Sequence, residues 1–393
     1  MLEESIAMAL DVNAMLKAVF EPFESRVAHE VPGGIGPLKT ADLPEELREE
    51  SFSRFKKVKI SSEDVVSLSN GDFFTYFKCG DEYYLCISTQ YLTPADIDKI
   101  NVLLEDYLCV EHYLEECFFM HFTSFIKDYY TIRSALDNNA IIETLGLGAR
   151  EHQSTYAGHD INELIGLYTP VKIFSIDPDS ALLDKDSWFL ASSIVIYCDS
   201  VKSKVIDETI VSQAKDILDL GSVNLENVYL SLTASHHKYI FIEIYRCLEA
   251  IYYLPCMLDL KAMVNLTCDA FDLARSVAKS LAWKEKERDS INSLFKNVPY
   301  QLIVDSSVLS LPFVAALAPA DSIEFKIKLS NLIYNIRNQS VHQEDYEEIA
   351  RININSKGWV CISRLVYMVV NYLYRQHSAD IKVYNCKFLL NAA

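Results

Sequence analysis

The sequence predicts an α+β N-terminal region, residues 1–221, followed by an all-α C-terminal region, residues 222–393. Three observations carry that division. Short aromatic-rich runs flanking turn residues, as in DFFTYFKCGDEYYLCIST (72–89), belong to the first part. Beyond residue 222 the apolar residues recur at helical spacing. Charge divides at the same place: residues 1–221 hold 18 Lys+Arg against 38 Asp+Glu, net −20, whereas residues 222–393 hold 18 against 17, net +1.

In chain order, residues 1–23 carry a helical pattern, and the prolines and glycines of HEVPGGIGPLKTADLPEE (29–46) break it, predicting a loop or exposed link. Within 72–89, two aromatic segments flank CGDE, which resembles a hairpin turn. From Thr93 the stretch TPADIDKINVLLEDYLCVEHYLEECFFMHFTSFIKDYYTIRSAL reads as helix, with a threonine at its start and acidic residues in its first turn. VKIFSI (171–176) and WFLASSIVIYC (188–198) read as buried strands. Around DLGSVNLENV (219–228) the character changes. In KYIFIEIYRCLEAIYYL (238–254), Phe241, Ile244, Tyr245, Leu248, Ile251 and Tyr252 repeat at helical spacing. Further helices read in 266–283, 323–338 and 357–376. Four or five such helices make a bundle.

Composition narrows the class. At 393 residues, 50% hydrophobic and 23% charged, the chain is long enough for two or three globular domains. Its first residues, MLEESIAMALDVNAML, are acidic, so no secretory signal is expected. The two most apolar stretches, 302–320 and 365–374, read as core: the first contains Asp305 and prolines, and the second is too short for a bilayer. Ten cysteines without a CxxC spacing fit reduced, buried thiols in a cytoplasmic protein with no membrane segment. The acidity of residues 1–221 repels polyanions, so a broad duplex-binding face is disfavoured and any RNA would be met locally.

The segment that draws chemical interest is RNQSVH, residues 337–342. Phe325, Leu329, Leu332, Ile333 and Ile336 form one apolar stripe, which fixes the helical register. Arg337 then falls about 100° beyond Ile336, at the stripe's margin. Asn338 and His342 are neighbours at i, i+4, whereas Arg337 and His342 point about 140° apart on a continued helix. An Arg-x4-His spacing arises by chance about 0.3 times in such a chain, and asparagine after the arginine lowers that to about 0.01–0.02. As a polar helix end, the same residues would cap carbonyls and complement the helix dipole.

RNQSVH resembles the R-x4–6-H signature of the HEPN superfamily, in which a polar residue commonly follows the arginine and the motif lies in a helical bundle. The resemblance covers the motif and, more loosely, residues 222 to 385. It implies a HEPN-like helical bundle in the C-terminal region and a metal-independent endoribonuclease that needs no cofactor and pairs as a homodimer, two motifs facing one cleft. His342 would then act as general acid or base at the ribose 2′-hydroxyl or the leaving oxygen. Arg337 would hold the scissile phosphate, and Asn338 would orient the imidazole or donate to the phosphate. An earlier helix of the family carries a polar residue on an apolar surface; Glu249 takes that place here, against the simpler reading of a solvated helix flank. Products would be a 2′,3′-cyclic phosphate and a 5′-hydroxyl, and DNA would resist. Such architectures occur among bacterial toxins and anti-phage abortive-infection systems, which assigns the acidic region to sensing a trigger or restraining the nuclease. The competing readings are a non-catalytic HEPN-like dimerisation protein and a CRISPR-associated ribonuclease with a ligand-sensing N-terminal domain.

Other constellations are weaker. His112 with Glu116, and Cys117 with His121, stand at i, i+4 and could approach a metal on a helix, but no second ligand cluster accompanies them, so an ordinary core helix is expected. His152 and His159 read as surface loop residues. GGIGPLKT (33–40) lacks the glycine–lysine adjacency of a phosphate loop, and LGLGA (145–149) lacks a strand–glycine–helix context.

Overall fold

A computed structural model of the chain describes residues 12–27, 29–31, 54–145, 158–281, 287–341 and 353–381. Its contacts separate two units, Met1–Asp184 and Lys185–Lys387.

The first unit is organised by the aromatic hairpin. β3 (Phe73–Cys79) and β4 (Glu82–Ser88) pair antiparallel through the turn that Gly80 makes with a φ of +66°, a conformation glycine adopts without steric penalty. β1 (Val58–Lys59) and β2 (Val65–Ser67) both pair with the outer edge of β3. On the other side the order continues through β6 (Val171–Ile176) to β5 (Cys109–His112), with every pairing antiparallel. Helices α1 (Val12–Val27), α2 (Pro94–Asp106), α3 (Glu116–Phe125), α4 (Asn138–Thr144) and α5 (Ile161–Ile165) complete the unit. Phe77, Phe118, Phe119, Phe122, Tyr130 and Tyr168 fill its core, and Tyr168 donates its hydroxyl to the Val19 carbonyl at 2.6 Å. The hydroxyl thereby finds an acceptor inside an apolar setting, as burial of a tyrosine demands.

The long helix expected from Thr93 is two helices and a strand. Thr93 does cap α2, accepting from the Asp96 amide. After Asp106, however, Leu108 turns the chain through a φ of +56°, and Cys109–His112 joins the sheet beside β6. A single left-handed leucine leaves no mark in hydrophobic periodicity.

The second unit is helical throughout its described residues. WFLASSIVIYC, expected to be a strand, forms α6 (Ser187–Tyr197), capped by Asp186 and buried from Phe189 through Ile196. Burial on every side removes the 3.6-residue pattern that separates helix from strand, and the β-branched Ile194, Val195 and Ile196 favour the wrong choice. α6 and α7 (Glu208–Leu218) pack with α8 (Leu225–Thr233), and α7 also packs on α16 (Ser356–Gln376). The boundary drawn by charge at 221/222 thus falls between α7 and α8, inside this unit. Arg364 of α16 donates to Asp207, the N-cap of α7, at 3.0 Å.

At the centre lies α9 (His237–Glu249), against α8, α16 and α15 (Ile323–Val341). Its apolar face, Ile240, Phe241, Ile244, Tyr245, Cys247 and Leu248, is buried, and Tyr374 of α16 donates to the Cys247 carbonyl at 2.9 Å. α10 (Leu254–Val264) pairs with α11 (Ala270–Leu281), and α12 (Glu287–Lys296) packs along α15. Short helices α13 (Tyr300–Asp305) and α14 (Pro312–Ala315) precede α15. The stretch 302–320 is core only in part: Ile303, Val308, Leu311 and Val314 are buried, while Val304 is exposed. Residues 365–374 are core as expected, with Leu365, Val366, Tyr367, Val369, Val370, Leu373 and Tyr374 buried.

Candidate functional site

Two helix ends build the site. Packing fixes α15 through Phe325, Leu329, Ile333 and Ile336; Leu332 is half-buried, and Ser330 is buried instead, donating to Asn292 of α12 at 2.6 Å. Register then places Arg337 beside the last residue of α9, Glu249. The Arg337 Nη2 lies 2.6 Å from Glu249 Oε1, and Arg337 Nη1 donates to Asn338 Oδ1 at 3.0 Å. Both arms of the guanidinium fork are therefore engaged, one by a charge and one by a neutral amide.

The pair is only partly wet, with side-chain exposures of 18% for Arg337 and 27% for Glu249. Burial raises the Glu249 carboxyl above its ordinary value, the Arg337 charge and hydrogen bond pull it back, and the neighbouring charge of Glu287 pushes it up again. A carboxylate so placed gives up its charge more readily than one in water, which matters for any anion that competes for Arg337.

Further polar groups stand near the pair, from α12 and from the same two helices. The Tyr334 hydroxyl donates to Glu287 Oε2 at 3.4 Å, Arg288 lies 5.4 Å from the Tyr334 ring centroid, and its Nη2 donates to Asn335 at 3.3 Å. The hydroxyls of Tyr245 and Tyr252 share a hydrogen bond at 2.6 Å, and burial pushes both phenols up, so both stay protonated. Tyr245 and Tyr252 stand seven apart, two helical turns, a spacing that marks a shared face in the sequence. Tyr334 stands one turn before Arg337 on α15, whereas Glu287 and Arg288 reach the site from α12 by tertiary packing, which local pattern does not report.

Of the four residues expected to form the site, the structure brings together Arg337, Asn338 and Glu249. His342 lies outside the described residues, which end on α15 at Val341. Helix α15 is continuous through Arg337 and Asn338 to that end.

The other candidates resolve differently. His112 ends strand β5 instead of lying on the expected helix, so it does not stand one helical turn from Glu116; it lies 3.7 Å from Glu115. Cys117 and His121 do share α3, where His121 is buried with its Nδ1 on the Cys117 carbonyl at 2.6 Å, and burial lowers its pKa. His159, expected on the surface, is buried, 6.2 Å from the Phe20 ring. His152, 29–46 apart from residues 29–31, and 146–149 of LGLGA lie outside the described residues. Among the described residues no group of three or more His, Cys, Asp or Glu could hold a metal ion, and no helix is long and apolar enough to cross a membrane.

No family model, no curated protein and no solved structure matches the chain.

Proposed function

We propose that the helical unit is a metal-independent endoribonuclease of HEPN type, a toxin or anti-phage abortive-infection effector that cleaves RNA in a site completed by a second copy of the chain. The observation that carries the reading is the immobilised guanidinium of Arg337, paired to Glu249 at 2.6 Å and braced by Asn338, at a helix end one residue short of the segment containing His342.

In this mechanism the incoming phosphodiester takes over the Arg337 donors, the bidentate fork matching two phosphate oxygens. Glu249 loses its counter-ion and, already raised by burial, accepts a proton or turns to solvent. His342 removes the proton of the 2′-hydroxyl as that oxygen attacks phosphorus; the P–O5′ bond breaks, and a protonated imidazole supplies the proton to the leaving oxygen. Arg337 offsets the charge that builds on the non-bridging oxygens. The 140° divergence of Arg337 and His342 on a continued helix favours drawing them from two copies. The acidic first unit, with 14 Lys+Arg against 32 Asp+Glu in residues 1–184, net −18, keeps RNA away until a trigger acts on it.

One observation favours a second reading. Both arms of the Arg337 fork are already satisfied, as in a structural ion pair that ties α15 to α9, which suits a non-catalytic assembly protein. Cleavage of a fluorescent RNA in EDTA separates the two. The enzyme cleaves and loses activity on His342→Ala with folding and dimerisation retained; an assembly protein dimerises and leaves the RNA intact.

A further inference from the structure

A polar pocket of about 260 Å³ opens at one end of the sheet in the first unit, where β3 and β6 begin and β4 ends. Its floor is Asp72, 1% exposed. The Asp72 carboxylate accepts from Ser88 Oγ at 2.5 Å, from the Tyr91 amide at 3.0 Å and from Asn70 Nδ2 at 2.8 Å. These bonds join two chain segments, 70–72 and 88–91, around one buried carboxyl group. Gly71, at a φ of +96°, lets the Tyr91 ring approach to 3.2 Å of where a Cβ would stand, so the ring forms a wall of the pocket.

Phe73 and Tyr129, with ring centroids 6.0 Å apart, also line the pocket. Ser134 Oγ accepts from Gln90 Nε2 at 2.9 Å and lies 3.2 Å from the Tyr91 hydroxyl. The other end of the same amide, Gln90 Oε1, is enclosed without a hydrogen-bond donor among the described residues. Asp128 contributes a second, exposed carboxylate.

We propose that this pocket binds a small organic cation, an amine or guanidine. Among the described residues its lining holds two carboxylates, several hydroxyls and aromatic rings, and no Lys, Arg or His. A phosphate or carboxylate ligand would find no positive charge there, and the unit as a whole is at net −18 over residues 1–184. An inorganic divalent ion needs several open oxygen ligands, whereas the Asp72 oxygens are taken by protein donors. Ring faces beside a carboxylate attract an ammonium or guanidinium group through the ring quadrupole and the charge together. N–H donors of such a ligand also suit the acceptor-rich lining. The volume lies below the ~300–1,000 Å³ of pockets for drug-sized molecules, so the occupant is small. The site belongs to the first unit and stands whether or not the second unit cleaves RNA.

Isothermal titration of the full chain with putrescine, agmatine and choline tests the proposal, with adenosine as the neutral planar probe and AMP as the anion. Asp128→Asn removes the exposed carboxylate, and Thr131→Arg puts a cation at an exposed position of the rim. At least one of the three cations should saturate a single site. Binding should weaken about tenfold or more in Asp128→Asn, the loss expected of one charged hydrogen bond, and vanish in Thr131→Arg. Circular dichroism matching wild type excludes misfolding of either variant. No saturable binding by any of the three cations, unchanged affinity in both variants, or tighter binding of adenosine or AMP would overturn it.

Discussion

Removing Arg337 tests whether its pairing with Glu249 is energetically real. A hydrogen bond to a charged group contributes about 1.5–3 kcal/mol, and breaking a fully buried ion pair costs about 3–5 kcal/mol. Exposures of 18% and 27% place this pair between the surface and the interior, so Arg337→Ala should cost the second unit about 2 kcal/mol. The coupling energy from a double-mutant cycle with Glu249→Ala should be about 1–2 kcal/mol.

The loss also has a pH signature. Burial raises the Glu249 carboxyl, so its ionised form disfavours the fold at neutral pH, and this handicap fades as pH falls through the raised value. Arg337 opposes that rise, and without it the carboxyl moves further up beside Glu287. The Arg337→Ala penalty should therefore be largest at neutral pH and shrink as pH falls towards about 4.3, the value of an unfolded glutamate. Urea denaturation read by tryptophan fluorescence isolates the right unit, because Trp188, Trp283 and Trp359 all lie within Lys185–Lys387. Coupling below about 0.3 kcal/mol, or a penalty that grows as pH falls, would mean that the Arg337–Glu249 pair does not stabilise the fold.

A fragment beginning at Lys185 should keep the helical circular dichroism and cooperative unfolding of the second unit, whereas one beginning at Ser222 should lose the cooperative transition, because it lacks α6 and α7. On the proposed function, the Lys185 fragment should also cleave RNA faster than the full chain, measured with the same fluorescent substrate; a folded fragment of equal or lower activity would count against restraint by the acidic unit. Tyr367→Phe should destabilise the second unit by about 1 kcal/mol, measured by urea denaturation, because it removes the buried hydroxyl that meets Ser231 Oγ. Asp72→Ala should destabilise the first unit by about 2–3 kcal/mol in calorimetry, since it leaves the Ser88 hydroxyl and the Tyr91 amide without their acceptor.

Where one face of an element is wet, its sequence announces it. The helices over 238–254, 323–338 and 357–376 were legible because apolar residues such as Phe241, Ile244 and Leu248 return every turn, and α9, α15 and α16 lie within a few residues of those bounds. Where burial is complete the signal disappears, and Ser187–Tyr197 passed for a strand. Strand β5 hid inside an apparent helix because one residue, Leu108, makes the turn. At the site, the register of α15 was readable from its stripe, and Glu249 could be singled out by its polarity at the end of an apolar helix. That Glu249 meets Arg337 depends on the approach of α9 to α15 across 88 positions of chain, which no local pattern encodes. The change in charge at 221/222 and the division of contacts at Asp184/Lys185 do not coincide, because acidic residues such as Asp207 and Glu208 stand at the start of α7, whose other face packs into the helical core.

On the proposed function, RNQSVH cleaves RNA. The most direct test is cleavage of a fluorescent RNA in EDTA by wild type, by the Lys185 fragment, and by Arg337→Ala, Arg337→Lys and His342→Ala, with circular dichroism confirming each fold. Products should end in a 2′,3′-cyclic phosphate and a 5′-hydroxyl, DNA should stay intact, and the rate should fall about 100-fold or more in His342→Ala, the scale of a lost general acid or base. Arg337→Lys, which keeps the charge and loses the fork, should fold and still cleave poorly. Intact RNA with both folded wild type and the fragment, or cleavage undiminished in His342→Ala, would contradict it.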